Sequence, residues 1–226
     1  MTSSEQQVVI RATWLSLKPH PLSAFVSALC TFTLALISLI YWKDIFNAQS
    51  WMPASGKAIF ENHEFWRAWS SLFIHSDEAH LFSNSFLFFI LGTFLAGHFG
   101  YFIFPILALF VGGLVNLFVI AGMPAEIKLI GASGIVFWMG GTWLILYFFL
   151  DRQRSLYQRA IRSIGVGLLL FVPAEAFNPS ISYMSHWVGF LAGVISGALY
   201  FLIFRHKFRA AEVKEIIIEE PLPDLN

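Results

Sequence analysis

Gly131-Ala-Ser-Gly-Ile-Val-Phe-Trp-Met-Gly-Gly-Thr-Trp-Leu-Ile-Leu-Tyr-Phe-Phe-Leu150 carries no charge over its whole length and opens on a serine between two glycines. A helix of about 20 such residues crosses a ~30 Å hydrocarbon core. Outward from 132–150, the pattern repeats at 22–42, 79–97, 99–121, 163–178 and 186–204, the fifth segment being the shortest. The expected fold class is therefore an all-α membrane protein with a bundle of six transmembrane helices. The composition agrees: of 226 residues 57% are hydrophobic and 12% charged, against roughly a quarter charged in a soluble domain.

Three domains of the chain follow: an N-terminal segment 1–21, a membrane domain 22–204 with a long first loop 43–78, and a polar tail 205–226 expected to fray. Lys and Arg resist translocation and gather in short cytoplasmic loops. Arg11 and Lys18 precede the first segment, Arg152, Arg154, Arg159 and Arg162 separate the fourth from the fifth, and Arg205, Lys207 and Arg209 follow the sixth. Six crossings place all three stretches on one side, so both termini are expected in the cytoplasm. The first loop carries Asp44, Glu61, Glu64, Asp77 and Glu78 against Lys43, Lys57 and Arg67, and is expected outside.

Several function classes drop out. With 14 basic and 14 acidic residues the net charge is zero, which leaves nucleic-acid binding without its electrostatic footing. The single cysteine, Cys30, excludes an intramolecular disulfide and supplies too few thiolates for a structural zinc or iron-sulfur site. No cofactor and no metal are expected. A channel or transporter would want ionisable groups at mid-membrane or an inverted repeat, and neither is read here.

Polar residues at helix ends inside a bilayer are costly and so mark candidate sites. In His75-Ser-Asp-Glu-Ala-His80-Leu-Phe-Ser-Asn84, His80 and Asn84 stand four apart on one face of the second segment. Gly131-Ala132-Ser133-Gly134 opens the fourth. His186 opens the sixth, followed by Gly189, Gly193 and Gly197, whose spacing lets helix backbones approach closely. All three clusters fall at outer ends. Imidazole has the basicity to take a serine proton, so His186 is read as the base for Ser133. His80, Asn84 and the first amides of the fourth helix are the candidate donors to an oxyanion. No buried Asp completes a triad, which points to a dyad.

Taken singly each signal has a plainer reading: Ser133 as a packing residue or N-cap, the histidines as interfacial side chains, and Asn84 as a helix-helix hydrogen-bond partner. Those readings do not predict that all of them lie at one side. Asn116, with Gly112 and Gly113, is read as packing, and Glu175 beside Pro173 as a solvated rim residue. The many Phe and Trp side chains are read as lipid-facing surface and interface belt.

Trp66-Arg67, His75, His80-x-x-x-Asn84, Gly131-Ala132-Ser133-Gly134 and His186-x-x-Gly189-x-x-x-Gly193 together resemble the rhomboid intramembrane serine proteases in their six-span bacterial form, in order and in separation. The resemblance covers most of the chain. It implies Ser133 as nucleophile, His186 as base and His80 and Asn84 at the oxyanion positions. Support near the site would come from Gly131, Gly134, Phe137 and Gly189, and Trp66 and Arg67 would be structural. Two departures stand out. Phe137 occupies a position where the family often has a tyrosine packed under the imidazole, and His98 stands near where many members carry a glutamate, which implies an effect on stability.

The activity implied is cleavage of single-pass transmembrane proteins near the outer face of the bilayer. The location implied is an integral, multi-pass membrane protein, in the cell inner (plasma) membrane if the source is bacterial. The fifth segment, interrupted by Pro173 and Asn178-Pro179, is the candidate gate. The competing reading is a catalytically silent rhomboid-like protein that binds membrane clients.

Overall fold

The computed structural model describes residues 5–171 and 183–219. In chain order these form β1 (Glu5–Ala12), α1 (Ser23–Trp42), two short helices of the first loop, α2 (Ala48–Trp51) and α3 (Arg67–Ser70), then α4 (Glu78–Phe99), α5 (Ala108–Ala121), α6 (Ser133–Leu150), α7 (Leu156–Phe171), α8 (Tyr183–Ala210) and β2 (Val213–Glu219). Among the described residues, five helical stretches are long and apolar enough to cross a membrane: α1, α4, Phe102–Ala121 (which ends in α5), α6 and α8. They coincide with five of the six segments read from the sequence.

The remaining segment differs. Helix α7 begins at Leu156, before the expected 163, and carries Arg159 and Arg162. Its described part is amphipathic, with its charge in the first turns. Pro173, Glu175 and Asn178-Pro179, and with them the proposed gate, lie outside the described residues.

Helix α6 is the centre of the bundle. Within its apolar window 61% is buried, against 22% for α1 and for α8, and Ile135, Trp138 and Met139 are fully enclosed. Helices α4, α5 and α8 surround it. The seam with α8 is backbone on backbone. A Cβ at Gly189 would overlap the Gly134 carbonyl and lie 3.3 Å from Gly134 Cα; one at Gly193 would overlap the Trp138 carbonyl and lie 2.9 Å from Thr142 N. Small residues permit this approach in lipid, where no hydrophobic force pulls helices together. Polar side chains then bridge the seam: Thr142 Oγ1 donates to Gly193 O (3.1 Å) and Trp138 Nε1 to Ser196 Oγ (3.1 Å).

At the other end of the bundle, away from Ser133, two strands meet. Helix α8 runs on to Ala210, and β2 pairs antiparallel with β1, Val8 opposite Ile216. A turn after β1 sets Trp14 edge-on to Phe208 at 5.2 Å between centroids, and Trp14 Nε1 donates to His98 O (2.9 Å). Glu212 receives Arg209 (2.7 Å) and Arg152 (3.2 Å). Residues 5–12 and 213–219 are thereby tied to the end of the bundle away from Ser133.

Candidate functional site

The loop that leads into α6 is built around His75. This imidazole is fully buried between α1 and the Ala132 amide. Ala132 N–H donates to His75 Nε2 (3.3 Å), which leaves the ring proton on Nδ1, 3.0 Å from Ser38 Oγ. Ser38 accepts it and donates its own proton to Phe73 O (3.1 Å). Trp42 Nε1 closes on His75 O at 2.7 Å. Burial, with His80 adding to it, pushes the His75 pKa down to about 3, so the ring is neutral and its tautomer is fixed by its partners.

Further bonds hold the same loop from the other side. Gly131 N–H donates to Ser71 O (2.9 Å), and Leu129 forms an isolated antiparallel bridge with Ala54 (2.7 and 3.2 Å). Asn116, buried on α5, donates from Nδ2 to Ala68 O (3.0 Å) and Ser71 Oγ (3.1 Å). The sequence reading took Asn116 as packing; it is the hydrogen-bonded prop of the first loop against α5.

Gly131 itself sits at φ +112°, where an L side chain is strained, and a Cβ there would meet His80 Cε1 at 2.8 Å, His80 Nε2 at 3.0 Å and Asn84 Nδ2 at 3.8 Å. Both conditions demand glycine. The consequence is geometric: the side chains of His80 and Asn84, one turn apart on α4, converge on the backbone two residues before Ser133. Asn84 is buried, and among the described residues its Nδ2 has no hydrogen-bond partner.

Ser133 is the first residue of α6, where amides lack intrahelical acceptors. One turn on, Phe137 stacks on His186 with centroids 4.1 Å apart and planes 9° from parallel. Residues four apart share a helix face, so the imidazole of α8 lies on the face of α6 that carries Ser133. The Gly134/Gly189 contact fixes that height, and Tyr183 meets His186 edge-on at 6.3 Å. His186 is also within electrostatic reach of His80.

Of the other residues singled out, Arg67 ties the first loop, donating to Ser50 O (2.8 Å) and Pro53 O (3.3 Å) and pairing with Glu64 (2.6 Å). Trp66 is 53% exposed and does not join the cluster. His98, at the inner end, packs against Trp143 (5.8 Å). Ser38, Ser71 and Leu129 complete the support. Ser38 carries a sequence signal, a hydroxyl inside an apolar span; Leu129 acts through its backbone, and Ser71 through both its carbonyl, which accepts from Gly131, and its hydroxyl, which accepts from Asn116, partners that residue type does not report.

A helical bundle with His80 and Asn84 against Gly131 and with His186 stacked one turn beyond Ser133 defines a polytopic membrane protein with a polar cluster at that end. A family model described as the Rhomboid domain matches residues 62–203, and the chain belongs to the rhomboid family, a family of intramembrane proteases. It is an integral membrane protein. It is also 26% identical over 196 residues, covering 84% of this chain and 92% of the other, to the Bacillus subtilis (strain 168) protein named "Putative rhomboid protease YdcA".

Proposed function

We propose that the chain is a serine endopeptidase that cleaves single-pass membrane proteins near the outer face of the bilayer. The observation that carries this is the buried Asn84 Nδ2 beside Gly131, which has no hydrogen-bond partner among the described residues. Leaving such a donor unsatisfied costs about 1–3 kcal/mol, a cost that makes sense where the acceptor arrives with the reaction. Ser133 Oγ attacks the scissile carbonyl carbon while His186 takes its proton. The carbonyl oxygen becomes an oxyanion held by Asn84, His80 and the first amides of α6. Collapse breaks the C–N bond, His186 returns the proton to the leaving amine, and water hydrolyses the acyl-enzyme in the same way. No cofactor enters the scheme.

The geometry also supports six crossings. Pairing of β1 with β2 keeps both ends of 23–210 on one side, so the number of crossings is even; the five long helices and the segment begun by α7 make six. The distribution of Lys and Arg supports a cytoplasmic position for that side, which for a bacterial source corresponds to the inner (plasma) membrane. A substrate must expose an unwound peptide bond, because a helix commits its carbonyls to intrahelical bonds. Gly, Pro or β-branched residues near the cut satisfy this need.

The test is labelling of purified, lipid-reconstituted protein by a fluorophosphonate probe. Labelling is expected in the wild type and absent in Ser133→Ala and His186→Ala. His80→Ala and Asn84→Ala are each expected to lower its rate by roughly 10²–10³-fold. A folded wild-type protein left unlabelled beside a reactive rhomboid would favour the client-binding reading instead.

A further inference from the structure

Two residues before α4, outside the set assigned above, connect the candidate oxyanion donor His80 to a carboxylate. Asp77 caps α4: its Oδ1 accepts from His80 N–H (2.8 Å), and its Oδ2 accepts from Ser76 Oγ–H (2.7 Å). Ser76 Oγ also lies 3.1 Å from His80 Nδ1. The hydroxyl has one proton, and a carboxylate at 2.7 Å claims it, since two acceptors at that distance repel. Ser76 Oγ is therefore an acceptor towards the ring, and Nδ1 carries the hydrogen.

This matters because Nε2, not Nδ1, is the ring nitrogen that faces Gly131. A neutral imidazole protonated on Nδ1 offers at Nε2 a lone pair, which repels an oxyanion. Donation from Nε2 requires a second proton, and the resulting cation needs a counter-charge. We propose that Asp77, acting through Ser76, holds His80 as a doubly protonated imidazolium whose Nε2–H is the donor to the oxyanion. Asp77 and Ser76 are thus positioning residues, and this deepens the protease reading on which it rests.

The surroundings are compatible. His75, edge-on to His80 at 5.1 Å, is neutral, with its pKa pushed down to about 3 by burial and then by His80, so it adds no repulsion at neutral pH. Glu78 opens α4 on the same side and adds negative charge. Gly131 on the facing loop brings no charge. His186 on α8 must be neutral to act as base, which leaves the imidazolium as the single cation of the cluster among the described residues. The Asp77 carboxyl is held below the ordinary carboxylate range by the bonds from His80 N–H and Ser76, so the counter-charge persists at working pH.

The rate of fluorophosphonate labelling of Ser133, followed from pH 5 to 10, separates the two histidines. Its acid limb reports His186 losing a proton, its alkaline limb His80 losing one. Asp77→Asn keeps a good helix cap but removes the charge. It is expected to move the alkaline limb down by about half to one pH unit and leave the acid limb in place; Ser76→Ala is expected to move it the same way. Alkaline limbs that coincide with the wild type in both variants overturn the proposal, because a merely structural cap would lower the rate without moving a limb.

Nitrogen NMR of imidazole-labelled protein, with His80 assigned from His80→Gln, reads the protons directly. At neutral pH both His80 nitrogens are expected to be protonated, and Nε2 is expected to lose its proton at lower pH in Asp77→Asn. A bare Nδ1 in the wild type overturns the proposal. The spectrum decides even if Ser133 proves unreactive, so failure of the protease reading and failure of the proton assignment remain distinct.

Discussion

At the end of the bundle that the proposed function places outside, the outer end, the loop before α6 hangs on neutral hydrogen bonds: Ala132 to His75, His75 to Ser38, Gly131 to Ser71 and Asn116 to Ala68. At the opposite, inner end the segments beside β1 and β2 are joined by charges and rings: Arg152 and Arg209 on Glu212, Arg11 on Glu215, Lys207 over Trp14. Neutral bonds between buried groups are directional, and each leaves a costly orphan if broken. The Glu212 carboxylate is 2% exposed but its two arginines are each more than a third exposed, so solvent screens these pairs and they tolerate reorientation. On the proposed function the contrast matches what each end must do. One holds the candidate oxyanion donors, and the other keeps residues 5–12 and 213–219 together.

The comparison holds only while the α6/α8 seam carries both ends, and breaking that seam is the largest effect expected. In Gly193→Val the new Cβ would overlap the Trp138 carbonyl and crowd Thr142 N, both backbone atoms that cannot swing aside. The helices must separate, with loss of the Thr142 and Trp138 bridges. The expected outcome is no monodisperse folded protein by size-exclusion chromatography in detergent. A variant that folds with an unchanged Tm would show that the seam yields more easily than its geometry implies.

Next in size is the difference between ends. His75→Gln removes the ring that accepts from Ala132 and donates to Ser38, and is expected to cost about 2–4 kcal/mol if both buried groups are left unmatched. Glu212→Gln, whose two arginine partners are each more than a third exposed, is expected to cost about 1 kcal/mol or less and to depend on salt. Thermal melts of the two variants at low and high ionic strength check this. Labelling of Ser133 should fall in the first and stay near wild type in the second.

Much of this was legible in the sequence, for reasons that also explain what was not. Apolar length reports a membrane helix directly, so α1, α4, α6 and α8 fall where composition puts them. The glycines of α8 and the serine of α6 are legible because their spacing is a property of one helix. Residues 5–12 and 213–219 are not, because neither strand carries a turn signal and each finds its partner some 200 residues away. Asn116 looked like packing because its partners, Ala68 O and Ser71 Oγ, lie in the first loop. Nothing in a span states which loop will fold back over it.

Acid separates the ends further. His75 binds a proton near pH 6.5 when unfolded but only near pH 3 when folded. Between those values the unfolded state holds more protons, so stability falls as pH drops, by about 1.4 kcal/mol per pH unit while the ring is titrating. Burial raises the Glu212 pKa, but the Arg209 bond and the charges of Arg152 and Arg209 outweigh it and hold it below the ordinary 4.5. Its contribution is present above that value and is lost only as pH falls through the depressed one. Hydrogen-exchange protection factors, corrected for the intrinsic exchange rate at each pH, should therefore fall from about pH 6 downward in peptides covering 129–132, and only below about pH 4.5 in those covering 209–215. His75→Gln should abolish the first response and leave the second.

The smallest effect sharpens the contrast most, because the same kind of contact occurs at both ends. Phe137 stacks on His186 at 4.1 Å, and Phe201 stacks on Phe149 at 4.7 Å with planes 22° apart. A ring pair contributes about 0.5–1.5 kcal/mol beyond its buried area. At the outer end that energy orients a base: Phe137→Leu frees the imidazole to rotate away from Ser133, so labelling should slow by roughly 2–10-fold. Phe137 is only partly buried, so Tm should barely move. At the inner end the energy orients nothing that reacts. Phe201, 8% exposed, is packed in the core, so Phe201→Leu should lower Tm while the labelling rate at a temperature well below it is unchanged. If the two variants instead changed Tm and rate in parallel, the imidazole would be positioned by the fold as a whole, and the division of labour between the two ends would fail.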